Sequence, residues 1–215
     1  MAGVIFDFNG TLFIDHDKHV LAWNRISEQI RGKDITQDEL LNRFNGVPNA
    51  VIINGLMEGK ATAEDIKHYS LLKEQYYREY CQKDQEHFHL IEGAEDYFKM
   101  LNREHIPFTI ASASIYPNIE FFIRSFHLDD FMDVTQIVYD DGTYENKVAM
   151  FKQAAKNIQV PIDACIIYED SLSGIRSAYT AGCHDIRVID STHQGQVYAS
   201  QPGVTKIIRN FREVL

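Results

Sequence analysis

Three short apolar runs in this chain each stop at an acidic or hydroxyl side chain. Val4-Ile5-Phe6 ends at Asp7, Phe108-Thr109-Ile110-Ala111 at Ser112, and Ala164-Cys165-Ile166-Ile167-Tyr168 at Glu169-Asp170. A run without polar alternation is a strand buried on both faces, and such strands belong to parallel sheets with helices on each side. In open α/β sheets the ligand crevice lies beyond the carboxyl ends of the strands. The three polar endings are far apart in the chain, yet this topology gathers them on one edge.

The segments between the runs fit that reading. After the first strand, an amphipathic helix is expected near Lys18–Arg31, with Val20, Leu21, Trp23, Ile26 and Ile30 on one face. Thr36 and Glu39 make a capping box that opens a helix through Phe44. Asn45-Gly46-Val47-Pro48 breaks it, Ala50–Met57 resumes, and Thr62 caps a long helix from Ala63 to about Gln82. Residues 16 to 85 thus carry helical periodicity with no strand signal. From Ile91 the pattern alternates: helix Gly93–Glu104, strand Phe108–Ala111, helix Pro117–Phe126, strand Thr135–Tyr139, helix Lys147–Ile158 and strand Ala164–Tyr168. A helix capped by Ser171 and closed by Gly182 follows, then strands Ile186–Ile189 and Val204–Ile208. The expected fold is α/β: a doubly wound, Rossmann-like parallel sheet made of residues 1–14 and 88–215, with an α-helical insert at 15–87.

Composition narrows the partners. With 215 residues, 45% hydrophobic and 24% charged, the chain matches ordinary globular proteins and supports one sizeable core plus a second small unit. A formal net charge of −10 argues against nucleic acid, which calls for a basic footprint. Cys81, Cys165 and Cys183 fit no metal spacing and are expected as reduced thiols in a cytoplasmic protein. No charged leader is visible, and no apolar run approaches the ~18 residues of a membrane span. A monomer acting on a small molecule is expected.

The gathered groups define a chemistry. Crowded carboxylates require protonation or a cation. An all-oxygen set suits Mg²⁺, which retains waters and accepts substrate phosphate as a ligand. Lys147 opens a helix that can point its amine at the same edge. A carboxylate nucleophile, a hydroxyl, a lysine and a hard cation are the parts for phosphoryl transfer through an aspartyl-phosphate.

At these residues the chain resembles the haloacid dehalogenase-like (HAD) hydrolase superfamily, in its β-phosphoglucomutase-like branch, over nearly its whole length. The resemblance implies Asp7 as nucleophile, Thr11 as the hydroxyl that follows it, and Ser112 with Ala113 as the phosphate-binding second motif. It implies Lys147 as the third-motif lysine, and Glu169 and Asp170 as the acids that hold Mg²⁺ with Asp7 and the Asn9 carbonyl. The helical insert takes the position of the branch's small cap, whose lid motion excludes water and selects the substrate. There, His19, Ala22 and Trp23 match the branch pattern, and His19, Asn45 and Gly46 are implied in substrate binding. The implied activity is Mg²⁺-dependent hydrolysis of a small phosphorylated metabolite.

Two departures shape that expectation. The family's general acid and base, two residues after the nucleophile, is here Asn9. An amide cannot shuttle a proton at neutral pH, a loss of ~10²–10⁴-fold, on the order of 3–5 kcal/mol of barrier. Asn49 stands where the resembled mutases carry a phosphate-gripping arginine, which argues against mutase activity. A non-catalytic phosphometabolite binder is the alternative that Asn9 would produce. Dehalogenases also lack the second aspartate, but their asparagine-bearing motifs differ from Ser112-Ala113-Ser114 and Tyr168-Glu169-Asp170. His16, Trp23 and Tyr69, Tyr76, Tyr77 and Tyr80 are expected in capping and packing, and His87-x-His89 as a solvated link.

Overall fold

The computed structural model describes residues 2–44 and 47–215. Two compact units emerge: the chain up to Ile14 together with His89–Leu215, and Asp15–Phe88. Phe88, assigned to the sheet unit by pattern, goes with the helices.

The first strand, β1 (Gly3–Phe6), is buried at every position. Its side chains alternate between faces. Ile5 joins an apolar cluster with Met150, Phe151, Ala154, Ile175 and Ala178. Phe6 enters an aromatic layer on the other face, 5.3 Å from the Phe98 ring, 5.2 Å from Tyr168 and 5.7 Å from Phe211. Burying such a side chain contributes roughly 1.5–3 kcal/mol. Packing on both faces therefore fixes where β1 ends, and with it Asp7.

The helical unit consists of α1 (His16–Arg31), α2 (Gln37–Glu39), α3 (Asn49–Leu56) and α4 (Ala63–Lys83). Its core holds Trp23 and Ile26 of α1, Ile53 and Leu56 of α3, and Tyr76 and Tyr77 of α4. The capping box at Thr36–Glu39 forms, and a second closes between Thr62 and Asp65. Beyond α2 the turn Leu40–Phe44 is π-helical rather than α-helical. Phe44 is buried there, in a place where a Cβ on Gly55 would lie 3.1 Å from its ring.

The other unit continues with α5 (Ala94–Arg103), β2 (Phe108–Ile115), α6 (Tyr116–Phe126), β3 (Val138–Asp140) and α7 (Lys147–Asn157). It closes with β4 (Cys165–Glu169), α8 (Leu172–Ala181), β5 (Asp185–Ile189), α9 (Gly195–Ala199) and β6 (Val204–Ile208). The six strands run in the order β3-β2-β1-β4-β5-β6, and each adjacent pair is parallel. Phe6 lies opposite Ile110 of β2 and Tyr168 of β4, so Asp7 emerges level with Glu169. Among the described residues no helix is long and apolar enough to cross a membrane.

Two strands, β2 and β3, depart from the pattern by more than one residue. β2 runs on through Ser112–Ile115, where Ile115 pairs with Asp140 past a register shift; the Ser114 N–H donates to Ser112 Oγ at 3.2 Å. The segment Thr135–Tyr139 is only partly strand. Asp133 accepts from both N–H and Oγ of Thr135, which winds Val134–Gln136 into a 3₁₀ turn before β3 begins.

Candidate active site at the carboxyl edge of the sheet

Asp7 follows β1 with its amide donating to the Tyr168 carbonyl at 2.9 Å, and its side chain is buried. The next residues fold into a tight turn: the amides of Thr11, Leu12 and Phe13 all donate to the Phe8 carbonyl, and Gly10 N–H donates to Phe13 O at 2.7 Å. Gly10 has φ +79°, a conformation suited to glycine. A Cβ at Gly10 would also stand 2.1 Å from Asp170 Oδ2. The bare backbone of this turn therefore leaves the space that the Asp170 carboxylate fills.

Lys147 is the first residue of α7, which Asn146 caps by accepting from the Ala149 N–H. Its Nζ donates to Asp7 Oδ1 at 2.7 Å and pairs with Glu169 Oε1. One ammonium thus bridges two carboxylates from adjacent strands. Burial alone would lower the Lys147 ammonium, but the facing Asp7 and Glu169 carboxylates hold it above the ordinary lysine range. Burial pushes the Asp7 carboxyl up, opposed by Lys147 and reinforced by Glu169, to about 7.

Glu169 is wholly buried at the end of β4. Its Oε2 accepts from the Asp170 N–H at 3.0 Å and from the Ser171 N–H and Oγ, each at 3.3 Å. These donors stand at the start of α8, where the unsatisfied amides and the helix dipole favour an anion. A Cβ on Gly174 would come within 2.0 Å of the Glu169 carboxylate, so α8 approaches it with nothing but backbone.

Asp7, Glu169 and Asp170 each offer an oxygen within 4.8 Å of the others. An all-oxygen set of carboxylates, with room kept by Gly10 and Gly174, fits a hard divalent cation.

The remaining predicted groups of this unit lie alongside. Thr11 is wholly buried, and its hydroxyl donates to Asp7 Oδ2 at 3.4 Å. Ser112 is buried on β2 and Ala113 is exposed. Ser112 Oγ donates to Asn9 Oδ1 at 3.4 Å, and Ser114 Oγ donates to the same oxygen at 2.7 Å. Ser114 escaped the candidate set, although its position two residues from Ser112 puts both hydroxyls on one strand face.

His19 belongs to the helical unit. Lys73 Nζ donates to His19 Nδ1 at 2.7 Å, and His19 Nε2 faces Asp15 Oδ2 at 3.3 Å while its ring stacks on Tyr77 at 4.2 Å. Asp15 accepts from the Tyr77 hydroxyl at 2.5 Å. Lys73 also pairs with Glu74 at 2.9 Å, and Glu74 accepts from Asn49 Nδ2 at 3.2 Å. This buried polar chain within the helices was not anticipated. Its sequence signal is a lysine in the i, i+4 row Tyr69–Lys73–Tyr77, an otherwise aromatic face. Asn45 and Gly46 lie outside the described residues.

A sequence model of haloacid dehalogenase-like hydrolases matches residues 4–188, most of the chain and all of the edge just described. The chain belongs to that family. A HAD hydrolase, family IA, variant 3, from Entamoeba histolytica shares 34% identity with this hydrolase, covering 100% of this chain and 96% of that one, at a TM-score of 0.94. A "Phosphorylated carbohydrates phosphatase" from Thermotoga maritima is 24% identical over the full length of both chains. A CbbY mutant from Rhodobacter sphaeroides, in complex with xylulose-(1,5)bisphosphate, has the same fold. Its TM-score is 0.81 at 19% identity, covering 99% of this chain and 95% of that one.

Proposed function

We propose that this hydrolase is a Mg²⁺-dependent phosphatase acting on a small phosphorylated metabolite, with Asp7 as the nucleophile. The observation that carries the reading is Lys147 held between Asp7 and Glu169 at the sheet's carboxyl edge. An Asp7 oxygen attacks phosphorus, and the bond from phosphorus to the leaving oxygen breaks with its electron pair. Water then attacks the aspartyl-phosphate, which returns the Asp7 carboxylate and inorganic phosphate. Lys147 keeps its proton throughout and offsets the charge gathering on the phosphoryl oxygens, and in this reading the Ser112 hydroxyl turns from Asn9 to donate to them. Asp7, Asp170 and the Asn9 carbonyl would hold Mg²⁺, with Glu169 joining directly or through water. When bound, the cation supplies charge neutralisation for a phosphoryl group among carboxylates.

The helical unit takes the part of the substrate-selecting cap. Phosphorylated sugars belong in the substrate screen, because the Thermotoga maritima relative is named for them. The test is release of phosphate from a metabolite-phosphate panel and a generic aryl phosphate, with Mg²⁺ and with EDTA. Turnover that needs Mg²⁺ and vanishes in Asp7→Ala supports the reading; full activity in EDTA overturns it. Asn9 favours one rival, a phosphometabolite binder, for which phosphate would raise the melting temperature while no substrate turns over.

A further inference from the structure

The position of Asn9 bears on which phosphates this site can use, an inference that rests on the phosphatase reading. Its Oδ1 takes hydroxyl bonds from Ser114 at 2.7 Å and Ser112 at 3.4 Å, and both serines sit on the rigid strand β2. The amide is thus anchored by its oxygen two residues after Asp7, and an amide nitrogen forms hydrogen bonds without releasing a proton. The other groups of the cluster are committed elsewhere. Asp7 is the nucleophile, Glu169 is held by Lys147 and three donors, and Asp170 packs against the Gly10 turn. Lys147 Nζ is engaged by both the Asp7 and the Glu169 carboxylates.

We infer that the working substrates of this site carry the phosphoryl group on an oxygen of low basicity, as in an acyl phosphate, rather than on an ordinary sugar hydroxyl. When Asp7 attacks an acyl phosphate, the P–O bond breaks and its electron pair leaves on a carboxylate, which is stable without a proton. The same attack on an alkyl phosphate expels an alkoxide, which must be protonated as it leaves. Here an amide N–H from Asn9 can only hydrogen-bond to that oxygen. The second half-reaction is slowed for every substrate, since nothing at position 9 takes a proton from the attacking water. Its proton passes to a phosphate oxygen or to solvent, and the aspartyl-phosphate accumulates. Leaving-group chemistry therefore governs kcat/KM, while breakdown of the common phosphoenzyme governs kcat.

The test measures kcat/KM for acetyl phosphate, a series of aryl phosphates and glycerol phosphate with the Mg²⁺-loaded protein, alongside phosphate label on Asp7 by intact mass. Wild type should show kcat/KM falling steeply as the leaving oxygen becomes more basic, with label trapped on Asp7. Asn9→Asp should raise kcat/KM for glycerol phosphate by at least ~10-fold, within the ~10²–10⁴ that a positioned acid supplies. For acetyl phosphate the gain in kcat/KM should be much smaller than for glycerol phosphate, with kcat raised and the label removed. Asn9→Ala, neutral like the native amide, should keep the steep wild-type slope. A flat wild-type series overturns the inference by revealing an acid elsewhere, and leaves the phosphatase reading standing. An equal gain from Asn9→Asp in kcat/KM on every substrate also overturns it. Neither turnover nor Asp7 label with acetyl phosphate would sink the phosphatase reading, and this inference with it. Intact mass also guards against deamidation of Asn9-Gly10, which would introduce the acid under test.

Discussion

Replacing Gly174 with alanine tests the acid cluster through the sign of a stability change. In an open helix, glycine to alanine stabilises by about 1 kcal/mol. In α8 the new Cβ would stand 2.0 Å from both Cδ and Oε1 of Glu169 and 2.2 Å from Oε2. Carbon atoms reach normal contact at roughly 3.5–4 Å, so the carboxylate must retreat by roughly 1.5 Å. Glu169 has no easy retreat: it is wholly buried, accepts from Asp170 N, Ser171 N and Ser171 Oγ, and pairs with Lys147. A hydrogen bond to a charged group contributes about 1.5–3 kcal/mol, and the shift disrupts more than one. After the helix gain is subtracted, Gly174→Ala should cost roughly 2–4 kcal/mol, a fall of about 5–15 °C in Tm for a chain of this size. Scanning calorimetry in EDTA reads that fall, and phosphatase turnover should drop with it. A melting temperature at or above wild type, with turnover intact, would refute the claim that α8 must approach Glu169 through bare backbone.

Two other outcomes follow from the same contacts. Lys147→Met leaves Asp7 and Glu169 facing each other without their shared cation; it should cost about 3–5 kcal/mol in EDTA and abolish turnover, with Mg²⁺ restoring part of the lost stability in calorimetry. Asn49 carries no charge and gives its amide to Glu74, so glucose 1- and 6-phosphates should not interconvert even with a bisphosphate activator, a result that coupled assay or NMR can check.

Local physics and tertiary arrangement left separate marks on this protein. The strand endings at Asp7, Ser112 and Glu169-Asp170 were legible because burial on both faces writes a continuous apolar run into the chain. The caps at Thr36, Thr62 and Ser171 are equally local, each satisfied within three residues. Asn9 was legible as a chemical deficit from its place two residues after Asp7, where the family resemblance implies an acid. The limits of β2 and β3 were not, because the Ile115–Asp140 pairing carries β2 past its apolar run and the Thr135–Asp133 bonds wind the segment before β3 into a turn. Nor could the pattern show that one lysine bridges two carboxylates, that Ser114 anchors Asn9, or that Lys73 pairs with His19 and Glu74 inside the helical unit. Gly10 and Gly174 look like ordinary turn and helix glycines until their missing Cβ atoms are measured against Asp170 and Glu169. Periodicity encodes which face of an element is buried, whereas the distance between segments remote in sequence arises only when the elements pack. The sequence by itself therefore determined which groups reach the sheet edge, and the tertiary structure alone decided which of them touch.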